Sequence, residues 1–199
     1  SGEEDDSGSV FRLLDTETGT VYEVPDRDFV VGTVSAEMYP TYHVEALKAQ
    51  AVASYTYYCV QREQERANPD PDLKGADFAD TLSGLPRYYS DEELKERWGD
   101  HYDTYHSKIT EAVDAVFGRK ITYDGKPIMA AYHAISSGVT EDAALVWGGS
   151  LPYLQPVASP GDKLSPSYQS TVSFTAEEFK GKLSTVEGCS FGEDPAAWI

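Results

Sequence analysis

Residues 35–58 have the sequence SAEMYPTYHVEALKAQAVASYTYY, and this stretch predicts the centre of the fold. Pro40 cannot continue a helix and disfavours helical geometry in the residue before it, so the apolar run that precedes it should end near Glu37. A second helix is expected to begin near Thr41, with Glu45 in its first turn, where the helix dipole favours negative charge. Its small side chains allow neighbouring elements to pack closely, and they are Ala46, Ala49, Ala51 and Ala53. We therefore expect this second helix to be central and largely buried.

Glu37 is the candidate residue for acid–base chemistry. Its place in a terminal turn beside an alanine-rich helix predicts partial desolvation, which raises the pKa of a carboxyl group. Such a carboxyl could hold a proton near neutral pH and donate it. The plainer interpretation is a surface or capping carboxylate, and position alone does not separate the two.

The composition limits the class of protein. With 199 residues, of which 40% are hydrophobic, the chain is long enough for one globular domain with a sizeable core. A net charge of −18 without a basic stripe argues against nucleic acid as a partner, because a polyanion would be repelled. No apolar run reaches about 18 residues, so nothing in this sequence is expected to span a membrane. Residues 1–9 predict a disordered tether or a cloning remnant, and residues 10–199 predict one domain.

The cysteines and histidines do not suggest a metal site. Cys59 and Cys189 match no metal-binding spacing, and they could form one long-range disulfide or remain buried thiols, which we favour. The histidines contain no HxxxH or HxH pair, and they are His43, His101, His106 and His133. The sequence therefore predicts no metal.

Short runs rich in β-branched and aromatic residues predict strands. The first two should form a hairpin through a glycine-containing loop, and Asp124-Gly125 is a strong turn signal for a second hairpin. The predicted strands are residues 10–14, 20–24, 120–123, 126–133 and 153–157. Residues 68–86 contain too much proline, glycine and aspartate for regular structure, so a functional or mobile loop is expected there.

Capping signals predict the remaining helices. Ser90 and Thr175 each precede a glutamate by three residues, so helices should begin there and run to Trp98 and Leu183. Apolar residues at helical spacing predict another helix that ends at Gly118, and they are Tyr105, Ile109, Val113 and Val116. Helices mixed with hairpins, without a repeating strand–helix–strand pattern, favour an α+β class.

The turn at residues 132–141 is a second candidate site. It brings an imidazole, hydroxyls, a glycine and a carboxylate to the end of a predicted strand, which suits hydrogen bonding to a sugar or acyl group. Nucleophilic catalysis by Ser136 or Ser137 with His133 is conceivable, but this spacing does not define a triad and no GxSxG elbow is present.

Carboxylates offer two further mechanisms for a glycan-cleaving enzyme. Ordinary glycosidases use a pair of carboxylates, which should lie about 5–9 Å apart across a cleft. A single glutamate suffices when the substrate supplies its own nucleophile, because no second carboxylate is then needed to activate water. This is how a lytic transglycosylase differs from a hydrolase.

Several motifs in order resemble the stage II sporulation protein D family, including its amidase-enhancer branch. The resemblance covers roughly residues 19–162. Its motifs are VVGTVSAEM at 30–38, EALKAQAVASYTY at 45–57, LKERWGD at 94–100, ITYDGKPI at 121–128, YHAISSGVTE at 132–141 and VWGGSLPYL with SPGD at 146–162.

The resemblance implies a lytic transglycosylase that cleaves peptidoglycan glycan strands during engulfment of the forespore, without a cofactor. In the family, the glutamate of the Glu-Met-Pro motif is the catalytic acid, and the matching residue is Glu37. It would protonate the bond between N-acetylmuramic acid and N-acetylglucosamine and then accept the proton of the muramic 6-hydroxyl, giving a 1,6-anhydro product. The implied substrate-binding residues are Lys48, Gln50, His133, Ser136, Gly138, Thr140 and Glu141.

The chain departs from the family pattern at several positions. Tyr39 follows Glu-Met where proline is usual, and Tyr55 replaces an arginine. In the turn, Ala134 and Ser137 stand where serine and glycine are common. Some relatives bind zinc in the long loop, but the corresponding residues here cannot bind it, and they are Ala79, Ser83 and Gly84.

The family also implies partners and a location. The expected partners are peptidoglycan glycan strands and a cell-wall amidase, and the alternative function is a non-catalytic peptidoglycan-binding module that stimulates such an amidase. Relatives are extracytoplasmic and tethered by an amino-terminal membrane segment, which these residues do not contain. The family domain commonly extends beyond the equivalent of Ile199, so the resemblance predicts a carboxy-terminal truncation.

Overall fold

The fold is α+β, as the sequence predicts. The computed structural model describes residues 9–80 and 88–198. The chain divides after His133 into two compact units. Within the described ranges, no helix combines the length and the apolar character that a membrane crossing requires. Residues 1–8 lie outside the described residues, and the predicted domain at 10–199 stays a prediction.

A three-stranded sheet opens the first unit. Strands β1 (Val10–Asp15) and β2 (Val21–Pro25) pair antiparallel, with Leu13 opposite Tyr22, so the predicted hairpin is confirmed. Strand β3 (Phe78–Asp80) pairs parallel with the other edge of β1.

Part of the predicted loop at 68–86 is therefore regular, and the prediction is wrong there. Pro71–Leu73 forms a 3-10 turn, and β3 follows. Asp77, which precedes β3, is buried and accepts hydrogen bonds from the Arg12 backbone amide at 2.8 Å and from the Arg66 guanidinium at 2.7 Å. These long-range contacts outweigh the local preference for a loop. Residues 81–86 lie outside the described residues.

Two helices form the centre of this unit. Helix α1 (Asp26–Glu37) ends at the predicted residue, where the Met38 amide still donates to the Val34 carbonyl at 2.9 Å. Helix α2 (Val44–Ala67) begins later than predicted, because His43 and not Thr41 is the cap. The His43 imidazole accepts from the Glu45 amide at 3.2 Å.

Helix α2 is central, but its first turns are exposed. Ala46 and Ala49 face solvent, whereas Leu47 and Ala51 are buried against the core. The expectation of a largely buried helix is therefore wrong at its amino-terminal end. At the other end, the charged run at 61–66 continues the helix, and Arg62 is buried.

The remaining helices of the first unit follow their capping and spacing signals. Helix α3 (Asp91–Trp98) begins with the predicted capping box, in which the Glu93 amide donates to Ser90. Helix α4 (Tyr102–Asp114) packs against α1 and α2, but it ends four residues before the predicted Gly118. The chain leaves the helix in a turn, in which the Val116 amide donates to the Val113 carbonyl at 3.0 Å, and Gly118 closes this turn with a φ of +80°.

The second hairpin is shorter than predicted. Strands β4 (Thr122–Tyr123) and β5 (Lys126–Pro127) flank Asp124 and Gly125, both at positive φ, as the tight turn requires. The predicted strand at 126–133 ends at Pro127, because β4 has only two residues to pair with it. Beyond that, the chain is irregular up to His133.

The second unit contains helices α5 (Ala143–Trp147) and α6 (Ala176–Leu183). The predicted capping box at Thr175 is confirmed at the start of α6. The predicted strand at 153–157 is wrong: the nearest pairing is an isolated bridge between Val139 and Ala158, and the Leu154 amide turns back to the Leu151 carbonyl.

Both cysteines are free thiols, as favoured from the sequence. Cys59 is buried in the core, and this burial raises its pKa to about 11. Cys189 is exposed, so the expectation of a buried thiol is wrong at that position.

Gly32 allows the segment at Tyr88 and Tyr89 to lie directly on α1. A Cβ atom at position 32 would lie 2.4 Å from a ring carbon of Tyr88 and 2.5 Å from the Tyr89 carbonyl oxygen. We expect Gly32→Ala to lower the free energy of unfolding in urea by about 1–3 kcal/mol, because the backbone of the packed segment must shift.

The matched control is Gly181→Ala in α6, where no atom lies within 4 Å of the added carbon. Relief of the backbone entropy cost should raise stability there by about 0.5–1 kcal/mol. Equal stabilisation by the two substitutions would contradict the close contact between α1 and residues 88–89.

Candidate active site

Glu37 is the last residue of α1, and its side chain is half-buried. The chain leaves the helix at Met38 in an extended conformation, so the carboxyl group sits where helix and turn meet. Pro40 is buried in that turn. The local geometry predicted from the proline break is thus present.

The Tyr132 phenol lies near this carboxyl group. Burial raises the pKa of Tyr132, a hydrogen bond with Ser54 opposes the rise, and the nearby Glu37 carboxylate adds to it. Because a raised pKa keeps the phenol protonated at neutral pH, it retains an O–H group that can donate.

A chain of hydrogen bonds connects this phenol to α2. The Gln50 side-chain amide donates to the Ser54 hydroxyl at 3.0 Å, and Ser54 in turn bonds to Tyr132. Ser54 and Tyr58 are almost completely buried, and the Tyr57 ring meets Tyr132 edge-on with centroids 6.4 Å apart. These tightly packed neighbours restrict the directions in which the Tyr132 phenol can point.

The remaining predicted residues of this unit are less buried. Lys48 pairs with Glu45 at 2.8 Å on the first turns of α2, and His133 is exposed at the end of the unit. Gln50 is therefore linked through Ser54 to the Tyr132 phenol, which lies near Glu37. Lys48 is instead paired with the Glu45 carboxylate.

Tyr55, which stands where the family has arginine, is a core residue. It is 2% exposed, and its hydroxyl donates to Asp26 at 3.3 Å. The Lys120 ammonium lies 5.2 Å from the centre of its ring. A cation is thus still present near this position, although it comes from another part of the chain.

The other predicted binding residues form a turn in the second unit. The Ser136 amide and hydroxyl both donate to one Asp162 oxygen, at 2.8 and 2.5 Å. Gly138 has a φ of +105°, a conformation that favours glycine. The Thr140 hydroxyl accepts from the Val157 amide at 2.9 Å.

This turn gives no support to a serine nucleophile. The Ser136 hydroxyl donates its proton to the Asp162 carboxylate, whereas a nucleophilic serine passes its proton to a histidine base. Glu141 is exposed, and its carboxylate accepts from the next backbone amide at 3.1 Å. The turn is a fixed set of polar groups, which suits binding better than nucleophilic attack.

No metal-binding group is apparent in residues 9–80 and 88–198: they contain no cluster of three or more His, Cys, Asp or Glu side chains suited to a metal ion. Of the positions that correspond to the zinc ligands of some relatives, Ala79 lies in β3, and Ser83 and Gly84 lie outside the described residues.

Sequence patterns assign no individual role to Tyr132 or to Ser54. Tyr132 lies in the candidate turn and Ser54 in the central helix, so both were within the predicted regions. They are 78 positions apart, and no short sequence pattern predicts a hydrogen bond between residues so far apart. A small hydroxyl residue on an otherwise apolar helix face was the available indication.

Comparisons with known proteins identify the family. A model of the stage II sporulation protein family matches residues 14–123. Stage II sporulation protein D of Bacillus subtilis (strain 168) is 40% identical over 186 residues, which are 90% of this chain and 53% of that protein. The protein of the same name from Bacillus amyloliquefaciens is 38% identical over 168 residues, covering 84% of this chain and 48% of its own length.

A more distant relative is the amidase enhancer of Bacillus subtilis (strain 168), which is 29% identical over 123 residues, 62% of this chain and 14% of that protein. The chain spans about half the length of the two stage II sporulation D proteins. Since the family model covers more than half of the chain, the chain belongs to the stage II sporulation protein D family.

Proposed function

We propose that this chain acts on cell-wall peptidoglycan in sporulation as a lytic transglycosylase, with Glu37 as its acid and base. Membership of the family supports a sporulation-linked, cell-wall role. The observation that carries the finer proposal is the half-buried Glu37 carboxyl at the end of α1, beside a protonated phenol. A carboxyl group in such surroundings is suited to proton transfer.

In the proposed reaction, Glu37 donates its proton to the oxygen between N-acetylmuramic acid and N-acetylglucosamine. The bond between that oxygen and C1 of the muramic residue breaks, and the 6-hydroxyl of the same residue attacks C1. Glu37 accepts the hydroxyl proton, which regenerates the acid and leaves a 1,6-anhydro ring. No water is consumed, so one carboxyl group is sufficient.

Tyr132 has a positioning role in this proposal. Its phenol bonds to Ser54 and lies close to the Glu37 carboxylate, so it can keep that side chain oriented toward the substrate. The glycan would be bound by the residues implied by the resemblance, namely Lys48, Gln50, His133, Ser136, Gly138, Thr140 and Glu141. Because peptidoglycan lies outside the cytoplasm, the proposal includes an extracytoplasmic location, together with the membrane anchor and the role in septal wall remodelling during engulfment that the resemblance implies.

Product chemistry tests the proposal. Purified glycan strands, with and without peptide stems, are incubated with the protein, and the soluble fragments are identified by mass spectrometry. We expect fragments that end in 1,6-anhydro-N-acetylmuramic acid. Fragments with reducing ends, each heavier by one water, would contradict the transglycosylase and indicate a hydrolase with a second carboxylate.

A second candidate function is supported by the similarity to the amidase enhancer. In that case the chain would bind peptidoglycan and stimulate a cell-wall amidase without cleaving glycan. The same incubation separates the two functions when a purified amidase is added. Faster release of stem peptides, with no glycan fragments from the chain alone, would favour the stimulating module.

A further inference from the structure

Two tyrosine rings are exposed immediately after Glu37. Tyr39 and Tyr42 are 67% and 46% exposed, and their rings meet edge-on with centroids 5.7 Å apart. We propose that this tyrosine pair forms a sugar-stacking subsite that holds a neutral N-acetylglucosamine unit of the glycan strand beside Glu37. The inference rests on the proposed function and adds to it the residues that position the strand.

The segment that carries the tyrosine pair is rigidly supported. The Tyr42 amide donates to the Tyr39 carbonyl at 3.0 Å, which closes a turn around the buried Pro40. From α4, the Lys108 ammonium donates to the Tyr42 carbonyl at 2.7 Å. Large side chains on a fixed turn lose little conformational freedom when a ligand binds, so their exposure favours recognition.

The tyrosine pair is also near the proposed reaction. Successive Cα atoms are 3.8 Å apart, so the Tyr39 Cα lies within about 7.6 Å of the Glu37 Cα. In the proposed complex, a glycan strand that presents its scissile bond to Glu37 would place one of the adjoining sugars over this turn.

The chemistry of the rings favours a sugar as the occupant. A pyranose ring presents a face of C–H groups, which packs on the electron-rich face of an aromatic ring, while its hydroxyl groups stay hydrated at the edge. N-acetylglucosamine carries neither a charge nor a stem peptide, whereas N-acetylmuramic acid carries a lactyl group whose carboxylate is free in a peptide-free strand and would be repelled by a chain of net charge −18. The sugar on the tyrosine pair is therefore N-acetylglucosamine.

Binding measured without cleavage tests the subsite. Isothermal titration calorimetry is carried out in a Glu37→Gln background with peptide-free glycan strands and with N-acetylglucosamine oligomers. We expect Tyr39→Ala and Tyr42→Ala each to weaken binding about tenfold, or about 1.4 kcal/mol. Tyr39→Phe should bind like the parent protein, because stacking needs the ring and not the hydroxyl group. Melting temperatures should be unchanged, since both side chains are exposed.

The control is Tyr123→Ala, which removes another exposed tyrosine, 44% exposed on β4, and should leave binding unchanged. Unchanged binding in both alanine variants would overturn the subsite, as would a parent protein that binds neither probe. A Phe variant as weak as the Ala variant would also overturn stacking. Failure of the proposed reaction is seen separately, as missing anhydro products while the tyrosine pair still controls binding.

Discussion

Replacing Arg62 by methionine is expected to lower the free energy of unfolding by about 3–5 kcal/mol, because the substitution leaves a buried carboxylate without its counter-charge. Asp26 is 1% exposed, and the Arg62 guanidinium donates to both of its oxygens, at 2.7 and 2.9 Å. Methionine keeps much of the aliphatic volume, so the loss should come mainly from the unpaired charge. Urea unfolding at neutral pH measures it.

The surroundings of this ion pair explain why the effect should be large. Asp26 also accepts hydrogen bonds from the Ser9 hydroxyl at 2.6 Å and the Tyr55 hydroxyl at 3.3 Å. Both donors, like the Arg62 guanidinium, stabilise the negatively charged form of Asp26. The Arg62 guanidinium lies 4.2 Å from the centre of the Phe11 ring. The pair thereby ties α2 to β1 and to the first turn of α1.

Arg27→Met is the matched control, because Arg27 pairs with Asp114 at 2.6 Å on the surface, where both side chains are more than 40% exposed. Solvent screening should limit its cost to about 0–1 kcal/mol. The double substitution Arg62→Met with Asp26→Asn should recover part of the loss by removing the stranded charge. An Arg62→Met protein as stable as the Arg27→Met protein would refute the role of the buried pair.

Features set by short-range chemistry were predictable from the sequence. Pro40 ends α1 at Glu37, Ser90 and Thr175 cap α3 and α6, and Asp124-Gly125 makes the second turn. In each case, one or two residues restrict the backbone or satisfy its end groups within a few positions. The α+β class follows from these elements.

Long-range pairing produced the errors. The composition of the charged run at 61–66 is typical of a solvated surface, yet Arg62 reaches Asp26, 36 positions away, and Arg66 reaches Asp77. The same Asp77 holds β3 against β1 in a segment whose composition predicts a loop. Composition describes how a segment prefers to behave alone, and it carries no information about a buried partner elsewhere in the chain.

The candidate site was predictable to a similar degree. The position of Glu37 follows from the helix end, but its neighbour Tyr132 is 95 positions away and is placed by the irregular chain after β5. The sequence predicted a long strand there, which would have alternated its side chains between two faces. The shorter strand and the irregular segment observed instead carry the phenol to Ser54.

Glu37→Gln is expected to reduce the rate of glycan cleavage by about 10²–10⁴-fold, because glutamine has nearly the same shape but cannot transfer a proton. The proposed reaction needs the protonated group first and the carboxylate second. The release of anhydro-ended fragments over time measures the rate.

Glu63→Gln supplies the control, since it makes the same chemical change on the exposed side of α2 and should leave the rate unchanged. Glu37→Gln should leave the free energy of unfolding within about 0.5 kcal/mol of the parent, because its side chain is only half-buried. A stable Glu37→Gln protein with an undiminished rate would remove Glu37 from the mechanism. A lost rate with intact stability and glycan binding would instead assign the loss to proton transfer, because folding and substrate capture are then unaffected.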